Sequence, residues 1–199
     1  MPEKLKDEAY IDAPLPISAG QTISQPLTVA FMLDLLQPQL GDRILDVGFG
    51  SGWTTALLAE IVLSFVVIPS EARNLKGLQK GKVFAIERIP ELFEFGKQNV
   101  SKYFPIKGYP SIGSGNDEAR VEMKCGDGTK GWPEKAPFDK IIAGASGESL
   151  SEAWKEQLKI GGRIVAPVKN SIWLLIKKDK NKFEEIEHPG FVFVPLIEN

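Results

Sequence analysis

Gly48, Gly50 and Gly52 stand at alternate positions between the apolar run Ile44-Leu-Asp-Val47 and a helical pattern that starts at Trp53-Thr-Thr55. Backbone that lacks Cβ at three alternate positions lets a ligand come close to the main chain and makes positive φ available. The N–H groups of the helix that follows attract negative charge. The spacing is G-x-G-x-G, whereas a dinucleotide fingerprint reads G-x-G-x-x-G between a strand and a helix, so a plain β-to-α turn stays open on spacing alone. A second signal is Lys82-Val-Phe-Ala-Ile-Glu87, an apolar run ending in a carboxylate placed to bind a ribose diol.

Asp46 narrows the chemistry. A carboxylate at the end of the first strand, beside a helix N-terminus, would repel a pyrophosphate but suits a ligand that carries a cation, such as the ammonium and sulfonium of S-adenosylmethionine. That turns the loop away from NAD. Composition removes further classes. The 199 residues, 43% of them hydrophobic, suffice for one sizeable core and are read as a single domain over 1–199. A net charge of −2 offers no basic footprint, so no nucleic-acid partner is expected. Cys125 is the only cysteine and His188 the only histidine, which excludes a disulfide framework and a Cys/His zinc site, and no metal is expected. No cationic segment followed by an apolar one suggests secretion, and the apolar run 56–68 is too short to span a membrane. The expected compartment is the cytoplasm and the expected state a monomer.

The elements that must position these residues alternate along the chain. Residues 1–25, punctuated by Pro14 and Pro16, read as an extended lead-in lying on the domain. Ser24 followed by Pro26 reads as a helix N-cap with proline in the first turn, and a cap role for Ser24 stays open beside any chemical one. A helix covers 27–36. Asp46 and Glu87 lie 41 positions apart by their numbers, about twice the usual interval from loop to ribose acid. Residues 64–81 are therefore read as an insertion, a surface excursion rather than a dedicated binding element. A helix at 90–102 and a long loop at 103–118 follow. Strands are expected at 120–125, 138–143, 163–168, 171–177 and 191–196, with a helix at 150–158 and a charged hairpin tip at 177–182. This alternation predicts an α/β fold with a doubly wound, mainly parallel seven-stranded sheet and helices on both faces. Ligands of such sheets sit beyond the C-terminal strand edges, where Asp46, Glu87, Asp127 and Gly144 fall.

Several blocks then carry a family resemblance. Gln21-Thr-Ile-Ser-Gln-Pro26, Asp46-Val-Gly-Phe-Gly-Ser-Gly52, Val83-Phe-Ala-Ile-Glu-Arg88, Gly126-Asp-Gly-Thr-Lys-Gly-Trp-Pro133 with Ala136-Pro-Phe-Asp139, Leu158-Lys-Ile-Gly-Gly-Arg163 and Phe193-Val-Pro-Leu196 occur in that order. In this the chain resembles the protein-L-isoaspartate (D-aspartate) O-methyltransferases, a Rossmann-like class I S-adenosylmethionine-dependent family. The glycine loop alone only matches the class; the first and fourth blocks are far more specific. The resemblance implies methylation of the α-carboxyl of L-isoaspartyl residues in damaged proteins and peptides, after which the ester cyclises to a succinimide that partly reopens to normal aspartate. It implies that Asp46, Gly48, Gly50 and Gly52 hold the methionine part of the cofactor, Glu87 the ribose, and Asp127 with Gly128 the adenine. Ser24 matches the family's active-site serine, with Thr22 and Ile23 beside it near cofactor and substrate.

The side-chain inventory agrees with that chemistry. A carboxylate with a pKa near 4 is ionised at neutral pH, so the nucleophile needs no general base. In-line placement and exclusion of water can then carry the rate. The departures are a helical cover before Ala9-Tyr10 that this chain lacks from Met1 on, Ile17-Ser-Ala-Gly20 in place of Ile-Gly-x-Gly, and Gly144-Ala-Ser-Gly147 in place of a Thr-Ala-Ala-like run. The first is expected to weaken water exclusion and substrate grip more than cofactor binding. A methyltransferase for another carboxylate or small molecule, and a cofactor-binding module without turnover, are the alternatives at this stage.

Overall fold

The computed structural model describes residues 3–63, 81–106 and 120–196. The lead-in starts with a 3-10 helix over Glu3–Glu8, where an extended chain was expected. It then folds into a small ribbon in which β1 (Leu15–Pro16) pairs antiparallel with β2 (Thr22–Ile23). Helix α1 (Pro26–Leu36) begins with proline in its first turn, as predicted, but its N-cap is Gln25, whose side chain makes no cap bond. Ser24 is therefore not the cap. The N–H of Leu27 donates instead to Asp12 Oδ1 at 2.9 Å, so a carboxylate 15 positions earlier satisfies a donor that the helix leaves open.

The main sheet is built from β3 (Arg43–Val47), β4 (Lys82–Glu87), β5 (Val121–Cys125), β6 (Phe138–Ala143), β7 (Leu158–Val168), β8 (Ser171–Asp179) and β9 (Lys182–Pro189). Helices α2 (Trp53–Leu63), α3 (Pro90–Ile106) and α4 (Glu152–Gln157) connect them. The seven strands run in the order β5-β4-β3-β6-β7-β8-β9. Pairings from β5 through β7 are parallel, and β8 and β9 are antiparallel additions. Helix α3 runs past the expected end at 102 and takes up the first residues of the expected loop. The rest of that loop, and the expected insertion apart from Gly81, lie outside the described residues.

The predicted last strand at 191–196 is corrected. β9 occupies the preceding stretch, Gly190 ends it with a φ of 97°, and the chain leaves the sheet. The pattern misled because β9 is an edge strand with almost every side chain exposed, so it shows no apolar alternation. Phe191 stacks on Phe31 of α1, Val192 is exposed, and residues 193–196 are apolar for another reason, since they line cavities beyond the sheet edge.

Alternation along the strands divides the core. Ile44, Val83, Val121, Ile142 and Val165 face Met32 and Leu36 of α1, Leu58 and Val62 of α2 and Val100 of α3. Leu45, Val47, Phe84, Ile86, Ile141 and Ile164 face the other way, onto Trp132, Trp154 and Leu158. Both faces are covered, as parallel strands require.

Candidate active site

The chain leaves β3 toward β4 on one side and returns as β6 on the other, so the β3/β6 edge is the topological switch point of the sheet. The glycine loop sits there, with φ of 73°, 50° and 80° at Gly48, Gly50 and Gly52. Each angle is in the region that side chains avoid. At Gly52 space is equally decisive. A Cβ there would stand 2.5 Å from Val100 Cγ2 and 2.8 Å from the carbonyl oxygen of Gly96. Gly96 in the middle of α3 is the reciprocal fit, since a Cβ on it would strike the carbonyl of Gly50 and the ring of Phe49. An isolated glycine inside a helical pattern was the available signal for this contact. On the other side Gly144 donates its N–H to Val47 O at 2.8 Å and presses against the carbonyl of Gly48.

Two acids flank the loop. Asp46 is 2% exposed and accepts the Thr55 hydroxyl on Oδ2 at 2.6 Å. Burial pushes its pKa from 3.8 up to about 7; the Thr55 hydrogen bond opposes the rise and the charge of Glu87 adds to it. A carboxylate held this way gains most from a cation brought into the crevice. Glu87 is also buried, and its two oxygens accept N–H groups from Gly50 at 3.0 Å and Ile89 at 2.9 Å. Those bonds fix its orientation while leaving each oxygen a lone pair for a hydroxyl. Asp127 turns Oδ1 onto the Thr129 N–H at 2.9 Å and hydroxyl at 2.7 Å, which shapes the turn at Gly128–Lys130.

Three cavities share walls here. One of about 100 Å³ is lined by Thr22, Gly48, Gly50, Glu87, Gly128 and Gly144, among others. A second of about 30 Å³ lies against Asp46, Gly48, Thr54, Gly144 and Ser24. The third, about 400 Å³ and mostly apolar, is bordered by Tyr10, Ile23, Ser24, Trp53, Leu57 and Tyr103. Gly48 joins the first two, and Ser24 the last two. All the sequence-identified residues except Asp127, which supports the wall through its turn, border a cavity directly.

Sequence reasoning missed one wall. Phe193 lines the smallest cavity and Val194, Pro195 and Leu196 line the first. They are held by Ser146, whose N–H donates to Val194 O at 2.8 Å and whose carbonyl accepts from Leu196 N–H at 2.7 Å. Pro195 within the run was the signal against a sheet strand. Among the described residues no group of three or more His, Cys, Asp or Glu is placed to hold a metal ion, and no helix is long and apolar enough to cross a membrane.

A doubly wound sheet with a glycine loop at its switch point, a buried acid on the central strand and an oriented acid on the next defines a Rossmann-like domain of the class I methyltransferase type. The family model described as protein-L-isoaspartate(D-aspartate) O-methyltransferase matches residues 1–199. The protein-L-isoaspartate O-methyltransferase of Methanopyrus kandleri is 40% identical over 201 residues, covering 99% of this chain and 77% of that protein. The Pyrococcus horikoshii protein of the same name is 40% identical over 98% of this chain and 77% of its own length. A solved protein-L-isoaspartate O-methyltransferase is 26% identical with a TM-score of 0.76, over 97% of this chain and 55% of that one. The fold also matches a Plasmodium falciparum structure described as a protein-L-isoaspartate O-methyltransferase in complex with S-adenosyl-L-homocysteine, at 24% identity and a TM-score of 0.77, over 98% of this chain and 84% of that one. This chain belongs to the protein-L-isoaspartate (D-aspartate) O-methyltransferase family.

Proposed function

We propose that the chain transfers a methyl group from S-adenosylmethionine to the free carboxylate of L-isoaspartyl and D-aspartyl residues in damaged proteins, the first step of their repair. The observation that carries the reading is the position of Ser24, on the common wall between the cavity at Asp46 and the large apolar one. A polypeptide entering the large cavity brings its carboxylate to that wall.

The residues present fit the cofactor. At Gly48 and Gly50 a positive φ and not crowding calls for glycine, since a Cβ would stand 3.8 Å or more from its neighbours, and the bare backbone there leaves room for the cofactor beside β3. Asp46 would hold its ammonium end with Gly48, Gly50 and Gly52, Glu87 its ribose hydroxyls, and Asp127 with Gly128 its adenine. Thr22 and Ile23 border cofactor and substrate, and Ser24 orients the incoming carboxylate. When bound, S-adenosylmethionine supplies an electrophilic methyl group. The substrate carboxylate forms the new C–O bond as the sulfur–methyl bond breaks, and no proton has to move. The chain's own contribution is placement and a wall against water. The work is cytoplasmic, carried out by a monomer, and needs no nucleic acid.

The test is incubation with labelled S-adenosylmethionine and an isoaspartyl peptide beside its normal aspartyl twin. Label on the isoaspartyl peptide alone is expected. Label on neither, with S-adenosylhomocysteine still bound, would reduce the chain to a binding module, and label on both would make it a less selective carboxyl methyltransferase. Ser24→Asp should fold and bind S-adenosylhomocysteine yet lose most methyl transfer, because a second carboxylate repels the substrate at short range. Full turnover in that variant would move the role elsewhere in residues 21–25.

A further inference from the structure

The short helix α4 grips the turn at residues 128–132 along its whole length. Ser151, Trp154 and Gln157 are three positions apart and share one face of the helix. The Ser151 hydroxyl donates to Thr129 O at 2.6 Å, the Trp154 indole N–H to Gly128 O at 2.8 Å, and the Gln157 amide to Lys130 O at 2.9 Å. Gln157 Oε1 also accepts the Trp132 N–H at 2.8 Å. Three successive carbonyls of the turn are thus drawn onto one helix face, away from the cleft. Trp154 is 1% exposed and Gln157 8%, so these bonds form where water competes little. The fit is tight enough that Gly131, with φ of 63°, has no space for a Cβ against the Gln157 amide. The helix is itself anchored. Buried Lys177 of β8 donates to Lys155 O at 2.6 Å and Leu158 O at 2.8 Å.

We propose that Trp154 and Gln157 are positioning residues for the cofactor's adenine, setting the height of Gly128 in the cleft wall and, through Thr129, the direction of the Asp127 carboxylate. This rests on the reading above that Asp127 and Gly128 hold the adenine. Neither residue touches the cleft, and both act through the backbone they hold.

The experiment uses the full chain with Gln157→Met, which keeps the volume and loses both bonds, and Trp154→Phe, which keeps a buried ring and loses the indole N–H. Binding of S-adenosylhomocysteine and of plain adenosine is measured by calorimetry, beside the KM for each substrate and kcat. Both ligands should weaken by the same factor, about tenfold in Gln157→Met, with the KM for S-adenosylmethionine rising to match. The KM for the isoaspartyl peptide and kcat at saturating cofactor should stay unchanged, which general loosening of the fold would not allow. Gln157→Glu, which still accepts from Trp132, should fall between. Should either variant fail to fold, Ser151→Ala at the exposed end of the helix is expected to weaken adenosine about threefold. If Asp127→Ala weakens adenosine while folded α4 variants leave it unchanged, the positioning role is overturned and the adenine assignment stands. If Asp127→Ala itself leaves adenosine binding unchanged, the adenine assignment fails and the proposal with it.

Discussion

Residues 48–52 are backed by backbone and core behind the face they turn to the cavities, whereas the segments that border the same cavities, residues 22–24 and 193–196, are fastened by isolated hydrogen bonds. The loop continues the central strand, and its shape follows from glycines whose φ no other residue adopts cheaply and from a helix that carries a matching glycine. Residues 22–24 depend on a two-residue ribbon on one side and on the start of α1, capped at Leu27 by Asp12, on the other, and residues 193–196 hang on Ser146. A wall made of backbone tolerates little change and suits a ligand of constant shape. A wall of tethered segments can adjust, as an enzyme needs when its substrates share one damaged residue in arbitrary surroundings.

The comparison breaks most sharply at Gly52. Gly52→Ala places a Cβ against Val100 and the Gly96 carbonyl and forces a side chain to a φ of 80°. Left-handed strain and overpacking together should cost about 3 kcal/mol or more in denaturant unfolding. A variant within about 1 kcal/mol of the unaltered chain would show that the loop is no stiffer than the opposite wall. Next in size, Glu87→Ala should weaken S-adenosylhomocysteine by about 1.5 to 3 kcal/mol in calorimetry, the value of hydrogen bonds to a charged carboxylate. Detectable NAD binding without S-adenosylhomocysteine binding would refute the cofactor assignment at once.

Asp46 offers a test of sign. Its pKa in the folded chain, raised to about 7, lies above the 3.8 of an unburied aspartate, so the folded state holds the proton more tightly than the unfolded one. Its contribution to stability is fully present below pH 3.8 and is lost as pH rises through about 7. Binding runs the other way, because a cationic ligand selects the ionised form. Affinity for S-adenosylhomocysteine should be full above about pH 7 and fall up to tenfold per unit below it. Asp46→Asn should flatten both profiles. Parallel rather than opposed trends in the unaltered chain would mean that Asp46 does not meet a cation.

The smallest effect is expected at Asp12. Asp12→Ala removes the bond to Leu27 N–H and should cost about 1 kcal/mol, the usual loss of a helix cap. It should also raise the KM for the isoaspartyl peptide more than it lowers cofactor affinity, since Ala9, Tyr10 and Ala13 on either side of Asp12 line only the large cavity. An equal loss in cofactor affinity would mean that the two walls are one mechanical unit.

What could be read from sequence follows the same division. The loop, the two acids, the parallel strands and the ligand edge were legible because local pattern and tertiary role coincide there: an apolar run is a buried strand, and an acid at its end lies at the ligand edge. The cap of α1 was not, since Asp12 acts from 15 positions away and no local pattern links it to Leu27. A cap role for Ser24 stayed open on sequence for that reason, and the N-cap position belongs to Gln25. The last strand was misplaced because hydrophobicity reports burial and not strand formation. β9 is in the sheet and exposed, while Phe193, Val194 and Leu196 are out of it and partly buried.

Among the described residues β9 pairs only with β8, so its outer edge carries a ladder of N–H and C=O groups that no described strand takes up. Lys182, Glu184, Glu185 and Glu187 all stand exposed on it. On the function proposed, the enzyme works among aged polypeptides whose own exposed strands seek edges to join. Such a strand meeting β9 would have to lie against a row of carboxylates and desolvate them, which makes cross-pairing costly. The same strand that hid from pattern reading thus equips the molecule to work among aggregation-prone chains without joining their deposits.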